Sequence, residues 1–97
     1  MKYLVVDALF NGTGIRDYYT GDYLKPETLN LEAVTTIKIH DWLFRYKSEH
    51  HKGYINDDVI NELDREGREI ALKIKNELLE VKIEYYSDAR MTREIML

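Results

Sequence analysis

Between Asp57 and Leu79 the apolar residues Val59, Ile60, Leu63, Ile70, Ala71, Ile74 and Leu78 recur at steps of three and four. That spacing lays one apolar stripe along a helix, with Leu72 and Leu79 to its side. Glu62, Arg65, Glu66, Arg68, Glu69, Lys73, Lys75 and Glu77 fill the opposite face. Asn56 or Asp57 caps the start, and the acids Asp57 and Asp58 suit the positive end of the helix dipole. Glu69 and Lys73 stand in the favourable acid-before-base order, whereas Glu62 and Glu66 are like-charged neighbours. Gly67 lies on the stripe itself, where glycine costs roughly 1 kcal/mol against alanine. A bulky neighbour, Trp42 or a strand tyrosine, is the expected reason for the gap.

After Leu79 the period changes to two. Val81, Ile83 and Tyr85 face one way and Lys82, Glu84 and Tyr86 the other, as in a half-buried strand folding back beneath the helix. Tyr3 to Phe10 is apolar except for Asp7, and its paired valines favour a strand, central in the sheet or paired with residues 81–86. Leu31, Val34, Ile39, Trp42, Leu43 and Tyr46 approximate a second helical stripe over residues 31–49, capped by Thr28 or Asn30. The β-branched run Val34-Thr35-Thr36-Ile37 works against that helix without displacing it. Gly53 closes a connector short enough to make the two helices antiparallel neighbours.

A long connection separates the first strand from the first helix. Asn11-Gly12-Thr13-Gly14 is a turn, and residues 15–24 form either a hairpin turning at Thr20-Gly21 or an ordered loop pinned by tyrosines. The tail, residues 87–97, reads as a short docked helix or a frayed end. The pattern thus predicts a two-layer α+β domain in the order strand, long loop, helix, helix, strand, tail. Two helices pack on one face of a small sheet, to which residues 15–24 can add strands.

Composition narrows the class. Ninety-seven residues make one domain, with 44% hydrophobic and 33% charged residues, as in an ordinary globular chain. Without cysteine there is neither a disulfide framework nor thiolate chemistry. No apolar run reaches the ~20 residues of a membrane span, and the first residues do not form a secretory signal, so a cytoplasmic location is expected. The net charge of −4 is concentrated, because residues 57–80 hold eight acids against four bases. That argues against nucleic acid as partner and is compatible with a basic protein partner, though a solvated face explains it as simply.

Chemical motifs are sparse. The Gly12–Gly14 turn follows a strand but lacks the Gly-Lys-Ser/Thr of a phosphate loop and the third glycine of a dinucleotide loop. Arg16 beside Asp17 is expected to be an ion pair. Asp7 before Gly12-Thr13 is reminiscent of haloacid-dehalogenase-like phosphatases, but the spacing is longer, the second aspartate is missing and the chain is too short. His40, His50 and His51 have no diagnostic metal spacing, and Ser48 and Ser87, the only serines, have no triad around them. No catalytic residue, metal or cofactor is therefore expected. The eight tyrosines stand out, three of them crowded into residues 18–23 and interleaved with Asp17 and Asp22. Tyrosine offers rigid contact area with a polar tip and is enriched in binding surfaces.

The segments Gly14-Ile15-Arg16-Asp17, Thr20-Gly21-Asp22-Tyr23-Leu24, Pro26-Glu27 and residues 63–71 resemble a loose group of small bacterial proteins without assigned function. The resemblance covers most of the chain through short motifs. It implies a strand and Thr-Gly loop, two helices and a following strand, makes Gly67 a recurring feature, and brings no catalytic residues.

Three readings of function follow. The first is a non-enzymatic, acidic protein-binding module, such as a toxin-neutralising immunity protein, using Tyr18, Tyr19, Asp22 and Tyr23 with Asp57, Asp58 and Glu62. The second is a small ligand-binding or enzymatic domain using Arg16, Asp17 and the tyrosines around loop 11–24, which requires a concave pocket beside Gly12–Gly14. The third is a homodimer joined through an exposed strand edge and tyrosines.

Overall fold

The computed structural model describes residues 1–96. It contains strands β1 (Lys2–Val6) and β2 (Ile15–Asp17), helices α1 (Ala33–His51) and α2 (Asp57–Leu78), and strands β3 (Val81–Ser87) and β4 (Thr92–Met96). The sheet order is β2-β1-β3-β4. β1 and β3 run parallel at its centre, with Lys2 opposite Val81 and Val6 opposite Tyr85. β2 and β4 flank them antiparallel. Both helices cover one face, so the chain is a two-layer α+β domain as its sequence pattern predicts. Among the described residues no helix is long and apolar enough to cross a membrane.

Strand alternation separates the two faces of the sheet. Leu4, Val6, Val81, Ile83 and Tyr85 point into the core with Ile39, Trp42, Leu63, Ile70 and Ile74. Tyr3, Lys82, Glu84 and Tyr86 therefore stand on the face away from the helices.

Four local expectations need correction. The tail is neither helix nor frayed end but strand β4, with Met96 opposite Ile83 and Thr92 opposite Ser87. Only Met96 of β4 is buried, so no alternation marks it in the sequence, yet β3 would otherwise leave a row of unpaired backbone groups. Helix α1 is not capped by Thr28 or Asn30. Its N-cap is Glu32, which provides no side-chain cap, and Glu77 at the far end of α2 substitutes. The Glu77 carboxylate accepts from the Glu32 N–H at 2.7 Å and the Thr35 hydroxyl at 2.5 Å. Burial pushes its pKa up, but these bonds and Lys73 hold it below the ordinary glutamate value. That contact buries Thr35 and leaves Val34 half exposed, reversing the expected stripe there. In α2, Asn56 does cap, accepting from the Val59 N–H at 3.1 Å. Glu69 pairs back to Arg65 instead of forward to Lys73, which turns to Glu77 and Glu32.

Gly67 is where α2 meets the sheet. A Cβ there would lie 2.2 Å from Cε1 of Tyr85, so the bare backbone is what admits the ring. The Tyr85 hydroxyl passes the helix and donates to Asp64 Oδ1 at 2.6 Å. Tyr46 donates to the same oxygen at 2.9 Å and Ser87 to Oδ2 at 2.8 Å. Asp64 is only 3% exposed, and three hydroxyls satisfy it. Burial raises the phenol pKa of both tyrosines, keeping them as donors. Trp42 completes the seam by donating from Nε1 to the Leu63 carbonyl at 2.8 Å.

Gly67→Ala should lower stability by about 1–2 kcal/mol in urea unfolding, because overpacking outweighs the gain in helix propensity. In a Tyr85→Leu background the same change should cost far less. An unchanged or raised urea midpoint for the single variant would refute the seat assigned to the ring.

Candidate functional site

The loop after β1 is built around one buried carboxylate. Asp7, 3% exposed, stands at the C-terminal end of β1. Its Oδ2 accepts from Arg16 Nε at 3.0 Å, and its Oδ1 accepts from the Tyr23 hydroxyl at 2.6 Å. A Cβ on Gly12 would lie 2.5 Å from the Tyr23 ring, and one on Gly14 would lie 2.8 Å from Ile39 Cγ2. The glycine-rich turn is therefore a seat for Tyr23 and helix α1. Burial, then the bond to Asp7, raises the Tyr23 phenol pKa.

Residues 15–24 resolve as a tight hairpin. Arg16 bridges antiparallel to Tyr23, and the Leu24 N–H donates to the Ile15 carbonyl at 2.9 Å. Arg16 does not pair with Asp17 as expected. It reaches Asp7, while the Asp17 carboxylate caps its own turn by accepting from the N–H groups of Tyr19 and Thr20. The Asp22 N–H closes the turn on the Thr20 hydroxyl.

The loop tyrosines divide. Tyr23 turns inward. Tyr18 stacks on Tyr3 with ring centroids 3.9 Å apart, and Tyr19 packs edge-on to both. Tyr3 also donates to Glu84 at 3.1 Å and carries the Lys82 ammonium 4.9 Å above its ring. This cluster lies on the helix-free face of the sheet. Asp57, Asp58 and Glu62 lie on α2, in the other layer, so the acids and the tyrosine cluster do not form one surface. Asp57 is bound to Arg90 at 3.2 Å and Glu62 to Arg65.

Three of the surface concavities bear on function. A groove of about 380 Å³ runs between α1 and α2, lined mainly by apolar surface from Phe44, Val59 and Leu63 with Ser48 and the acids Glu49, Asp58 and Glu62 at its edges. Phe44 is 74% exposed. Arg45, also in the wall, is clamped by Glu66 at 2.6 and 2.9 Å and by Asp41. Asp58 has no ion-pair partner among the described residues. At the C-terminal ends of the parallel strands, a second concavity of about 340 Å³ lies beside the glycine-rich loop, between Arg16, Tyr23, Tyr86 and Asp88. The ligand-binding reading requires a pocket beside Gly12–Gly14; this concavity lies near that loop but is lined by Arg16, Tyr23 and the backbone of Gly21, not by residues 12–14. A third, of about 280 Å³, adjoins it across Tyr86 and Asp88.

Sequence reasoning missed Phe44, Val59 as a groove residue, and Asp88. Phe44 carried a signal, as an aromatic ring placed off the apolar stripe of α1. Asp88 carried none, because its surroundings, Asp7, Leu9, Arg16, Tyr23 and His50, are all distant in sequence. Of the histidines, His40 pairs with Glu27 at 2.8 Å and His50 Nδ1 meets the Tyr54 hydroxyl at 3.2 Å. Among the described residues no three His, Cys, Asp or Glu side chains gather as a metal site. Set beside known proteins, the chain matches no family model, no curated protein and no solved structure.

Burial pushes the Asp88 carboxyl up to about 6 from an ordinary value of 3.8, with Asp7 and Asp64 adding while the Ala8 N–H and Arg16 oppose. A pKa higher in the folded than in the unfolded chain stabilises fully below about pH 4, and that stability is lost as pH rises through about 6. Asp88→Asn should flatten this decline and raise stability at neutral pH by roughly 1 kcal/mol, discounted for partial exposure. Urea midpoints across the range measure it, and an unaltered profile in the variant would contradict the assignment.

Proposed function

We propose that this chain is a non-enzymatic protein-binding module whose contact surface is the α1–α2 groove. The occupant that fits is a basic, amphipathic segment of another protein. One observation carries the reading: an apolar trough with Phe44 standing open beside it is edged by Glu49, Asp58 and Glu62. An apolar side chain would enter against Val59 and Leu63, and lysine or arginine would meet the acids. An exposed aromatic beside a desolvating groove is the usual form of a binding hot spot, and the acidic edge favours fast, salt-sensitive association with a basic surface. An immunity-type role, masking a basic toxin, is the finer form of the proposal and is supported by size and charge. The tyrosine cluster at Tyr3, Tyr18 and Tyr19 lies on the opposite layer and is assigned no part in this contact.

The test is capture from source-cell lysate with wild-type chain, Phe44→Ser, the double change Asp58→Lys with Glu62→Lys, and Tyr19→Ala as bait. Phe44 and Tyr19 are mostly exposed, so these substitutions leave the core intact. The wild type should retain one dominant, salt-sensitive partner, weakened about tenfold or more by either groove variant and kept by Tyr19→Ala. Retention by both groove variants with loss in Tyr19→Ala would move the surface to the tyrosine face. Absence of any retained partner would remove the protein-binding reading.

A further inference from the structure

The third concavity has a composition unlike the groove. Residues following β1, the connector after α1 and the β3–β4 turn converge there. Its walls are Phe10, His50, Tyr54, Tyr86 and Met91, and its one carboxylate is Asp88. The rings are held in place: Phe10 lies 5.4 Å from His50, and His50 lies 5.5 Å from Tyr54. Tyr54 and Met91 both adopt left-handed backbone, at φ 56° and 57°. Strain of that kind collects at binding sites.

Asp88 is the group that demands explanation. Its Oδ1 is buried and has no hydrogen-bond partner among the described residues. A buried acceptor without a donor costs about 1–3 kcal/mol. Arg16 lines the neighbouring concavity and donates through Nε to Asp7, and no N–H of its guanidinium reaches Asp88 Oδ1. Lys47 lies over Phe10, 5.9 Å from the ring centroid. No lysine or arginine lines the concavity itself.

Those features select a ligand class. An anion would meet Asp88. A neutral apolar molecule would leave the carboxylate unmatched. An organic cation meets both the carboxylate and the negative faces of the rings. We propose that this concavity binds the ammonium end of an alkylammonium ligand, held by Asp88 against Phe10, Tyr54 and Tyr86. The source of that group is either a free amine or a lysine side chain. The site stands apart from the α1–α2 groove and does not depend on it.

NMR titration of the full chain with n-butylammonium tests this, with n-butanol as the neutral match and blocked lysine (acetyl-lysine methylamide) in a parallel arm. Butylammonium should shift resonances of Phe10, Tyr54, Tyr86 and Asp88 with millimolar affinity. Asp88→Asn should weaken it about tenfold or more, while keeping the native spectrum, and Tyr86→Leu should weaken it severalfold. Blocked lysine binding as tightly assigns a side-chain source, and its exclusion assigns a free amine. Equal shifts from n-butanol, or undiminished binding by a folded Asp88→Asn, would overturn the proposal.

Discussion

The closeness of α2 to β3 at one point, where the Tyr85 ring lies against the bare backbone of Gly67, governs the arrangement of the whole domain. With a side chain at residue 67, the helix would have to lift from the sheet. The Tyr85 hydroxyl would then no longer reach past it to Asp64. That carboxylate also joins Tyr46 of α1 and Ser87 at the end of β3. One steric allowance therefore lets a single buried charge tie three elements together. Buried carboxylates are tolerable only when fully bonded, and here hydroxyls alone do it, so no compensating cation has to be buried.

The two layers present different chemistry to solvent. The helix layer offers an apolar trough edged by acids. The open face of the sheet is closed over by its own rings, Tyr18 on Tyr3, with Lys82 and Glu84 engaged by Tyr3. At the C-terminal edge of the parallel strands, Asp7 is fully matched and Asp88 is not. Two aspartates at equivalent ends of neighbouring strands thus play opposite parts.

Much of this fold was legible because its main elements have strong periods. The α2 stripe, the β3 alternation and the central β1 all follow from apolar spacing, and the misplaced glycine pointed to a bulky partner that proved to be Tyr85. What stayed hidden depended on contacts distant in sequence. Thr35 is buried only because Glu77 lies over it. β4 carries no alternation because both of its faces are exposed as far as Met96, the one residue it buries. Arg16 has an acid next to it in sequence, yet strand geometry points adjacent side chains apart and delivers it to Asp7, just past the end of β1. The groove was half visible: its acids were evident, but pairing them with the tyrosine loop assumed a shared surface that two layers do not permit.

The parallel pairing of β1 with β3 has a consequence for how the domain comes into being. β1 is made early, yet the strand that completes its pairing ends at Ser87, after both helices. During synthesis the N-terminal strand can form its β2 hairpin but must keep its other edge, with Leu4, Val5 and Val6, open while about seventy-five further residues emerge. The helical hairpin has time to associate through Trp42 and Leu63 before any sheet exists to receive it. Assembly on the ribosome therefore ends in a late docking step, and until then the apolar edge of β1 is the part of the nascent chain most in need of shelter.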